Sequence, residues 1–177
     1  MYFLRLLLGL AFFATSLHAG TSTTPEPKRK VEVVGQYKYL HHGIFKVYEA
    51  TVLAPLGVEA IHIISADRPF ELRFHYLRNI KKQTILQSAN RMLEKNLDVA
   101  QLQAISRQIS ELHEIYTDVK KGDRAILRYH PQTGTTFYFN EQPRLTLPGK
   151  DFAKYYFSIW FGRMPVSENM REALLGR

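Results

Sequence analysis

The sequence contains no cysteine among its 177 residues. Without cysteine the chain can form no disulfide framework, and it cannot carry a lipid on a cysteine that follows a leader peptide. This absence excludes the small disulfide-rich secreted scaffolds as a class. If the chain is exported, the absence favours a bacterial periplasm as its destination.

Long apolar runs are also missing. The run at residues 6–13 is shorter than the ~20 residues that a membrane-spanning helix needs, and no later segment without charges is longer. The run belongs to MYFLRLLLGLAFFATSLHAG, in which Arg5 precedes the apolar stretch and small residues follow it, as in a secretory signal peptide. We therefore expect residues 1–19 to be a signal peptide and the mature protein to be periplasmic. Leu17 stands where a small residue is preferred before the cut, so cleavage after Ala14 or retention as an anchor stays open.

The rest of the chain has the composition of one domain. Apolar residues make up 45% of the sequence, which is enough for one core of ordinary size. Residues 20–30, rich in Thr and Pro with a basic end, predict a flexible leader, and residues 31–177 predict the folded domain. The formal net charge of +8 suits a small anionic ligand or contact with an anionic membrane surface. Nucleic acid is not expected, because an exported protein rarely meets it.

Period-two patterns predict a sheet that begins the domain. Phe70, Leu72, Phe74 and Tyr76 alternate with polar residues in PFELRFHYLRNI, so they belong to one face of a strand. Short runs rich in β-branched and aromatic residues predict three earlier antiparallel strands, at 31–39, 44–52 and 58–64.

The pattern then changes to helical spacing. Apolar residues at 85–93 and 102–112 predict two amphipathic helices, and Asp98 is placed to cap the second. RAILRYH and TTFYFN around PQTG predict a hairpin, and PRLTLPG predicts a last short strand. Two closing helices are expected from Asp151 to Gly162 and from Ser167 to Gly176. The order predicts an α+β fold, an antiparallel sheet with a layer of helices on one face.

Four segments carry a resemblance to a known family. FKVYEATVLAP, ELRFHYLRNI, DVKKGDRAILRYHPQTGTTFYFN and DFAKYYFSIWFGRMPVSENMREALLG resemble, in order and spacing, bacterial exported members of the chalcone isomerase-like family. The resemblance implies the chalcone isomerase fold, with an apolar cleft between a large antiparallel sheet and a layer of helices. In the plant enzymes this cleft holds a flavonoid, and in non-catalytic plant relatives it holds a fatty acid. Membership alone does not decide between these functions.

The residues of the enzymes do not carry over well to this chain. The resemblance implies an arginine on the strand before the FK element, which grips an anionic oxygen, and a threonine just after FK. Here the matching strand VEVVGQYKYLHH has no arginine, its nearest cation is Lys38, and Tyr48 stands at the hydroxyl position. A lysine supplies charge without the bidentate fork of a guanidinium, so the resemblance argues against chalcone cyclisation.

Four polar residues on apolar strands are the candidate ligand-binding set: Lys38, Tyr48, Tyr76 and Arg78. Together they can form a clamp for a carboxylate or a phenolate. The competing interpretation is that the tyrosine rings pack in the core while the two cations lie on a solvated face.

No catalytic residue, metal site or cofactor is predicted. His41 and His42 are neighbours on a strand and point to opposite faces, and no third ligand follows at a suitable spacing. No nucleophile-elbow pattern supports a Ser-His-Asp hydrolase.

Three functions remain open. The favoured one is a non-enzymatic protein that binds a small apolar or fatty-acid-like ligand between sheet and helices. The alternatives are an intramolecular lyase or isomerase for a phenolic or enone substrate, and an accessory subunit of a periplasmic or membrane complex. A closed interior together with an exposed apolar patch would favour the accessory subunit.

Overall fold

A computed structural model describes residues 30–41 and 44–177 of the chain. The predicted signal peptide and most of the predicted leader lie outside these residues. Within the described ranges, six strands form one antiparallel sheet in which each strand pairs with the next one along the chain. They are β1 (Val31–His41), β2 (Phe45–Pro55), β3 (Phe70–Tyr76), β4 (Arg124–His130), β5 (Gly134–Phe139) and β6 (Gln142–Leu147).

The alternation of apolar and polar residues creates two different sheet faces. In β3, Phe70, Leu72, Phe74 and Tyr76 are buried, and the residues between them are half-buried. We call the face with the buried side chains the inner face and the opposite one the outer face. The predicted period-two pattern of β3 is confirmed, and the pairing of Tyr48 with Tyr76 extends the inner face to β2.

The described part of the chain also contains six helices: α1 (Ala60–Ile64), α2 (Lys82–Asn96), α3 (Val99–Ile115), α4 (Lys150–Tyr156), α5 (Ser158–Phe161) and α6 (Glu168–Leu174). The helices pack on the inner face of the sheet. There α6 contacts β1 and β2, α4 contacts β5, and α3 contacts β6. Asp98 begins α3 with a capping box, because its side chain accepts from the Gln101 backbone while the Gln101 side chain accepts from the Asp98 backbone. The predicted α+β class and the predicted cap are confirmed.

The strand predicted at residues 58–64 is wrong. Residues Ala60–Ile64 form the short helix α1, which buries Ile63. β2 pairs directly with β3, so no strand from the connection between them can enter the sheet there. The β-branched residues that suggested a strand have only weakly unfavourable helix propensity, which tertiary packing overrides.

The first closing helix also differs from the prediction. The segment that was expected to be one helix from Asp151 is divided at Phe157 into α4 and α5, and its N-cap is Gly149, with no side-chain cap. The second closing helix follows the prediction, since the Ser167 side chain accepts from the Met170 backbone. Gly176, which has a positive φ of 69°, follows the end of α6.

The core lies between the inner face and the helices. Its buried residues and the partly buried ones packed against them run from Val34 to Leu175. A chain that begins at Gly20 therefore keeps every core residue that lies within the described ranges. Within the described ranges, no helix is long and apolar enough to cross a bilayer.

Candidate functional site

Five tyrosines form a cluster on and above the inner face, and we call Tyr39, Tyr48, Tyr76, Tyr116 and Tyr156 the tyrosine cluster. Tyr39 and Tyr48 stack with ring centroids 5.2 Å apart. The rings of Tyr48 and Tyr76 are nearly perpendicular to each other, with their centroids 6.3 Å apart. These three come from neighbouring strands because Tyr39 pairs with Tyr48, and Tyr48 pairs with Tyr76.

The helices supply the other members and their polar partners. Tyr116 follows the end of α3, and its side chain lies next to that of Tyr156 of α4. The Tyr48 hydroxyl donates to Met170 Sδ of α6 at 3.8 Å, and the side chain of Trp160 in α5 lies close to it. The cluster is thus a set of phenol groups held between strands and helices, with apolar surroundings.

Burial keeps these phenols neutral. It raises the pKa of Tyr48, Tyr76, Tyr116 and Tyr156 above the usual value near 10, because an apolar environment disfavours the phenolate. The side chains that further influence the four pKa values are aromatic neighbours and Asp123, with no lysine or arginine among the described residues. The cluster can therefore donate hydrogen bonds near neutral pH, but it has no cation to stabilise an anion.

The structure brings together two of the four predicted site residues, Tyr48 and Tyr76. Lys38 lies on the outer face, where its Nζ is 2.9 Å from Glu49 Oε1. The hydrogen bond from Lys38 lowers the pKa of Glu49. Arg78 is exposed, and its guanidinium carbon lies 5.8 Å from the ring centroid of Phe45. Neither cation reaches the interior, so the structure does not assemble a four-residue clamp.

A small cavity lies beside the cluster. Its volume is about 10 Å³, which is about the space that a single water needs. Its walls are mostly aromatic and aliphatic, and they come from β3, β4, β5 and the connection between α3 and β4: Tyr76, Ile115, Tyr116, Thr117, Val119, Ala125, Phe137 and Phe139. Because Thr117 is exposed, the cavity lies close to the surface.

Groups suited to metal binding do not assemble in the described part of the chain, where no three His, Cys, Asp or Glu side chains lie close enough to hold an ion. Two buried histidine nitrogens, His62 Nδ1 and His113 Nε2, have no hydrogen-bond partner. They belong to different elements, α1 and α3. Each nitrogen belongs to a single half-buried imidazole.

Two comparisons place the chain among known proteins. The family model described as chalcone isomerase-like matches residues 41–176. The chain belongs to the chalcone isomerase-like family. Among solved structures, this family member is similar to a fatty-acid binding protein of Arabidopsis thaliana, with a TM-score of 0.59 and 12% identity over 84% of this chain and 85% of the plant chain. At that identity the similarity shows a shared fold. No curated protein matches the sequence.

Sequence reasoning did not place Tyr39, Tyr116 or Met170 at the site. Tyr156 and Trp160 lie within the predicted closing helix from Asp151 to Gly162, in which no ligand-binding residue was predicted, and Tyr156 is buried. The contact between Tyr116 and Tyr156 joins residues far apart in the chain. A pattern of local spacing contains no signal for such a pair.

Proposed function

We propose that this chalcone isomerase-like protein is a non-catalytic binder of a slender apolar molecule, held between the sheet and the helices at the tyrosine cluster. The observation that carries the proposal is the group of buried phenols in an otherwise apolar interior. Ligand sites typically combine apolar walls with a few polar groups that orient the ligand. The fatty-acid binding protein of Arabidopsis thaliana, which shares the fold, is named for a ligand of this class.

The charges around the cluster define the ligand further. A carboxylate buried without a cation or several hydrogen bonds costs several kcal/mol. Lys38 and Arg78 are both outside the interior. The ligand we infer carries an uncharged polar group, such as a hydroxyl, a carbonyl or a protonated carboxyl, which the phenols of Tyr48 and Tyr116 can reach by hydrogen bonds.

The same features count against the lyase or isomerase alternative. That reaction needs a stabilised phenolate, and the interior supplies neutral phenols in place of a guanidinium. Burial raises the pKa of Tyr48, so this phenol is also a poor base near neutral pH. We therefore assign the site to binding.

Entry of a ligand requires the interior to open. The cavity of about 10 Å³ holds no alkyl chain, so side chains at its wall must move. The outermost wall is the connection after α3, where Tyr116 and Val119 are buried but Thr117 is exposed. A ligand that binds only the folded state then stabilises it, by ~2.7 kcal/mol at a concentration one hundred times its Kd.

The proposal can be tested with the chain that begins at Gly20, purified from a bacterial periplasm. Native mass spectrometry and organic extraction should detect a bound uncharged apolar molecule, and added long-chain alcohols should raise the melting temperature. Tyr116→Phe should lower occupancy because it removes a hydroxyl from the cluster. Tyr138→Phe is the matched control, since Tyr138 lies on the outer face against Arg128.

Two results would contradict the proposal. One is a wild-type protein that carries no ligand and shows no thermal shift with long-chain alcohols or acids. The other is a loss of bound ligand in Lys38→Met, because Lys38 pairs with Glu49 on the outer face. The second result would move the binding site to the outer face.

A second candidate function is an accessory subunit of a larger complex. The closed interior favours it, together with apolar side chains that are exposed near the start of β1 and the end of β2: Val31, Val33, Leu56 and Ile61. A tagged chain should then recover a defined partner from cells under mild extraction, and Val33→Ser should weaken recovery. Recovery of the monomer alone would count against this function.

Both functions assume export to the periplasm, which we infer from residues 1–19. Fractionation of cells that express the full chain, followed by N-terminal sequencing, tests this inference. We expect a periplasmic protein whose mature sequence begins at Gly20. A cytoplasmic protein that retains Met1 would contradict it.

A further inference from the structure

One end of the sheet gathers four separate segments of the chain. Because all strand pairs are antiparallel, the end of β1, the start of β2, the end of β3 and the start of β4 lie together. The connections at 77–81 and 116–123 lie at the same end, and we call this part of the molecule the hairpin end. It is opposite the end where β1 begins.

Hydrogen bonds fix these segments to one another. The Leu77 backbone N–H donates to the Val47 carbonyl at 2.9 Å, which ties the β3 exit to β2. Ile80 and Val119 form an antiparallel bridge between the two connections. The Lys121 backbone N–H donates to Asn79 Oδ1 at 2.9 Å. The hairpin end is therefore a structured surface made of several elements.

Apolar side chains project from this surface. Ile44 is 72% exposed and Phe45 is 51% exposed, and Leu40 beside them is also exposed. Leu40 pairs with Lys46, and His41 pairs with Phe45, so these residues form the described end of the β1–β2 hairpin. Large apolar side chains exposed next to one another are a common feature of docking surfaces.

Cations share the hairpin end with the apolar tip, and the guanidinium carbon of Arg78 lies 5.8 Å from the centroid of the Phe45 ring. Among the described residues the cations outnumber the carboxylates of the same end, which are Glu49, Glu114, Asp118, Asp123 and Glu141. The cations are Lys46, Arg78, Lys81, Lys82, Lys120, Lys121 and Arg124.

Two of these carboxylates are occupied within the protein. Asp118 accepts from Lys81 Nζ and from the Lys82 backbone. Asp123 accepts from the Lys120 backbone and from the side-chain amide of Asn140. Two of the cations are occupied as well, since Lys81 pairs with Asp118 and Arg124 pairs with Glu141. The positive charge directed outwards therefore comes from the exposed residues Lys46, Lys120 and Lys121.

We propose that the hairpin end docks on an anionic phospholipid surface. Ile44 and Phe45 enter the boundary between headgroups and acyl chains, and Lys46, Lys120 and Lys121 contact the phosphates. Apolar insertion together with basic residues is the combination that holds proteins at anionic bilayers. The small cavity lies at this same end, since Tyr76, Ala125 and Phe139 in its wall come from the strand ends there. Docking thus brings the wall of the proposed ligand site close to a membrane.

The test uses the chain that begins at Gly20 in flotation with two kinds of vesicle. One kind is phosphatidylglycerol and phosphatidylethanolamine at a ratio of about 1:3, and the other is pure phosphatidylcholine. We expect binding to the anionic vesicles only, and a strong loss of binding in 1 M salt, where the Debye length falls to about 3 Å. Lys120→Gln should weaken binding about fivefold. Ile44→Ser should weaken it about tenfold.

Matched controls come from the opposite end of the molecule. Leu56, which follows the far end of β2, is 71% exposed, nearly the same as Ile44. Lys95 lies in the last turn of α2, far from the hairpin end at which α2 begins. Leu56→Ser and Lys95→Gln should leave vesicle binding unchanged. Circular dichroism of all four variants checks that each is folded.

Three outcomes would overturn the proposal. They are no binding to anionic vesicles in low salt, equal binding to both kinds of vesicle, or equal losses in the control variants. A fourth result would assign this surface to a protein partner instead. In that case the hairpin end cross-links to a protein in cells, and none of the chain is found on the cell membranes. None of these outcomes depends on ligand occupancy, which is measured separately by native mass spectrometry.

Discussion

Replacing Gly35 with alanine tests how closely α6 packs on the sheet. Gly35 lies in β1 and pairs with Val52 on the inner face. A Cβ at Gly35 would lie 1.9 Å from the Ala173 carbonyl oxygen and 2.9 Å from the carbonyl carbon of Leu174. Both atoms belong to the backbone of α6, so no side-chain rotation can relieve the clash.

Two opposing effects determine how much Gly35→Ala changes the free energy of unfolding. Alanine in a strand interior is usually better than glycine by ~0.5–1 kcal/mol, because glycine loses more backbone freedom on folding. Against this gain, α6 must move by about an ångström, and overpacking of a close-packed core costs ~1–3 kcal/mol. Complete release of α6 would expose Met170, Leu174 and Leu175, at ~1.5–3 kcal/mol for each side chain. The displacement therefore outweighs the backbone gain, and we expect a net loss of about 2 kcal/mol.

Urea denaturation followed by Trp160 fluorescence measures this loss. At ~2–4 °C per kcal/mol for a chain of this size, the melting temperature should fall by roughly 4–8 °C. Gln36→Ala is the control, since Gln36 is the next residue of β1 and is exposed. If Gly35→Ala is as stable as the wild type or more stable, the close approach of α6 to β1 is refuted.

Three further changes follow from contacts in other parts of the fold. Asp98→Ala should lower the free energy of unfolding by about 1 kcal/mol, because α3 loses its capping box, while Asp98→Asn should lose much less in the same urea titration. Glu71→Gln should cost about 2 kcal/mol, because Glu71 lies between Arg73 and Arg128 with an oxygen 2.6 Å from each guanidinium. A loss in Glu71→Gln that does not shrink in high salt would contradict this electrostatic reasoning. Burial lowers the pKa of His113, so as the pH falls through ~6.5 the unfolded chain takes up a proton before the folded chain does. Stability should therefore be complete above that pH, decrease as the pH falls towards the folded pKa of His113, and level off below it. His113→Gln should lack this decrease in thermal unfolding measured from pH 8 to 5.

Local patterns predicted most elements, since their signals lie within a few residues. The alternation in β3 and the apolar spacing in α2 and α3 depend on which side of one element faces the core. Ser167 and Asp98 are caps because their oxygens accept from backbone groups three residues away. The hairpin at PQTG also formed where it was predicted, with Gly134 at a positive φ of 92°.

Elements whose form depends on distant partners were predicted poorly. Residues 58–64 have a strand-like composition. However, β2 and β3 pair directly with each other and leave no place between them for another strand, and the segment forms α1. The division of the late helix at Phe157 coincides with tertiary packing, because the Phe157 ring lies 4.7 Å from that of Phe70 in β3. Neither outcome has a signal in the residues nearby.

The sequence by itself determined the α+β class, the alternation that separates the two sheet faces, and the presence of tyrosines on apolar strands. Only the tertiary structure decided which polar residues meet. Strand register and helix packing bring Tyr48 and Tyr76 beside Tyr116 and Tyr156, and the same register places Lys38 opposite Glu49 on the outer face. The charge of the candidate site depends on these contacts between distant residues, because burial favours neutral phenols and leaves the cations in water.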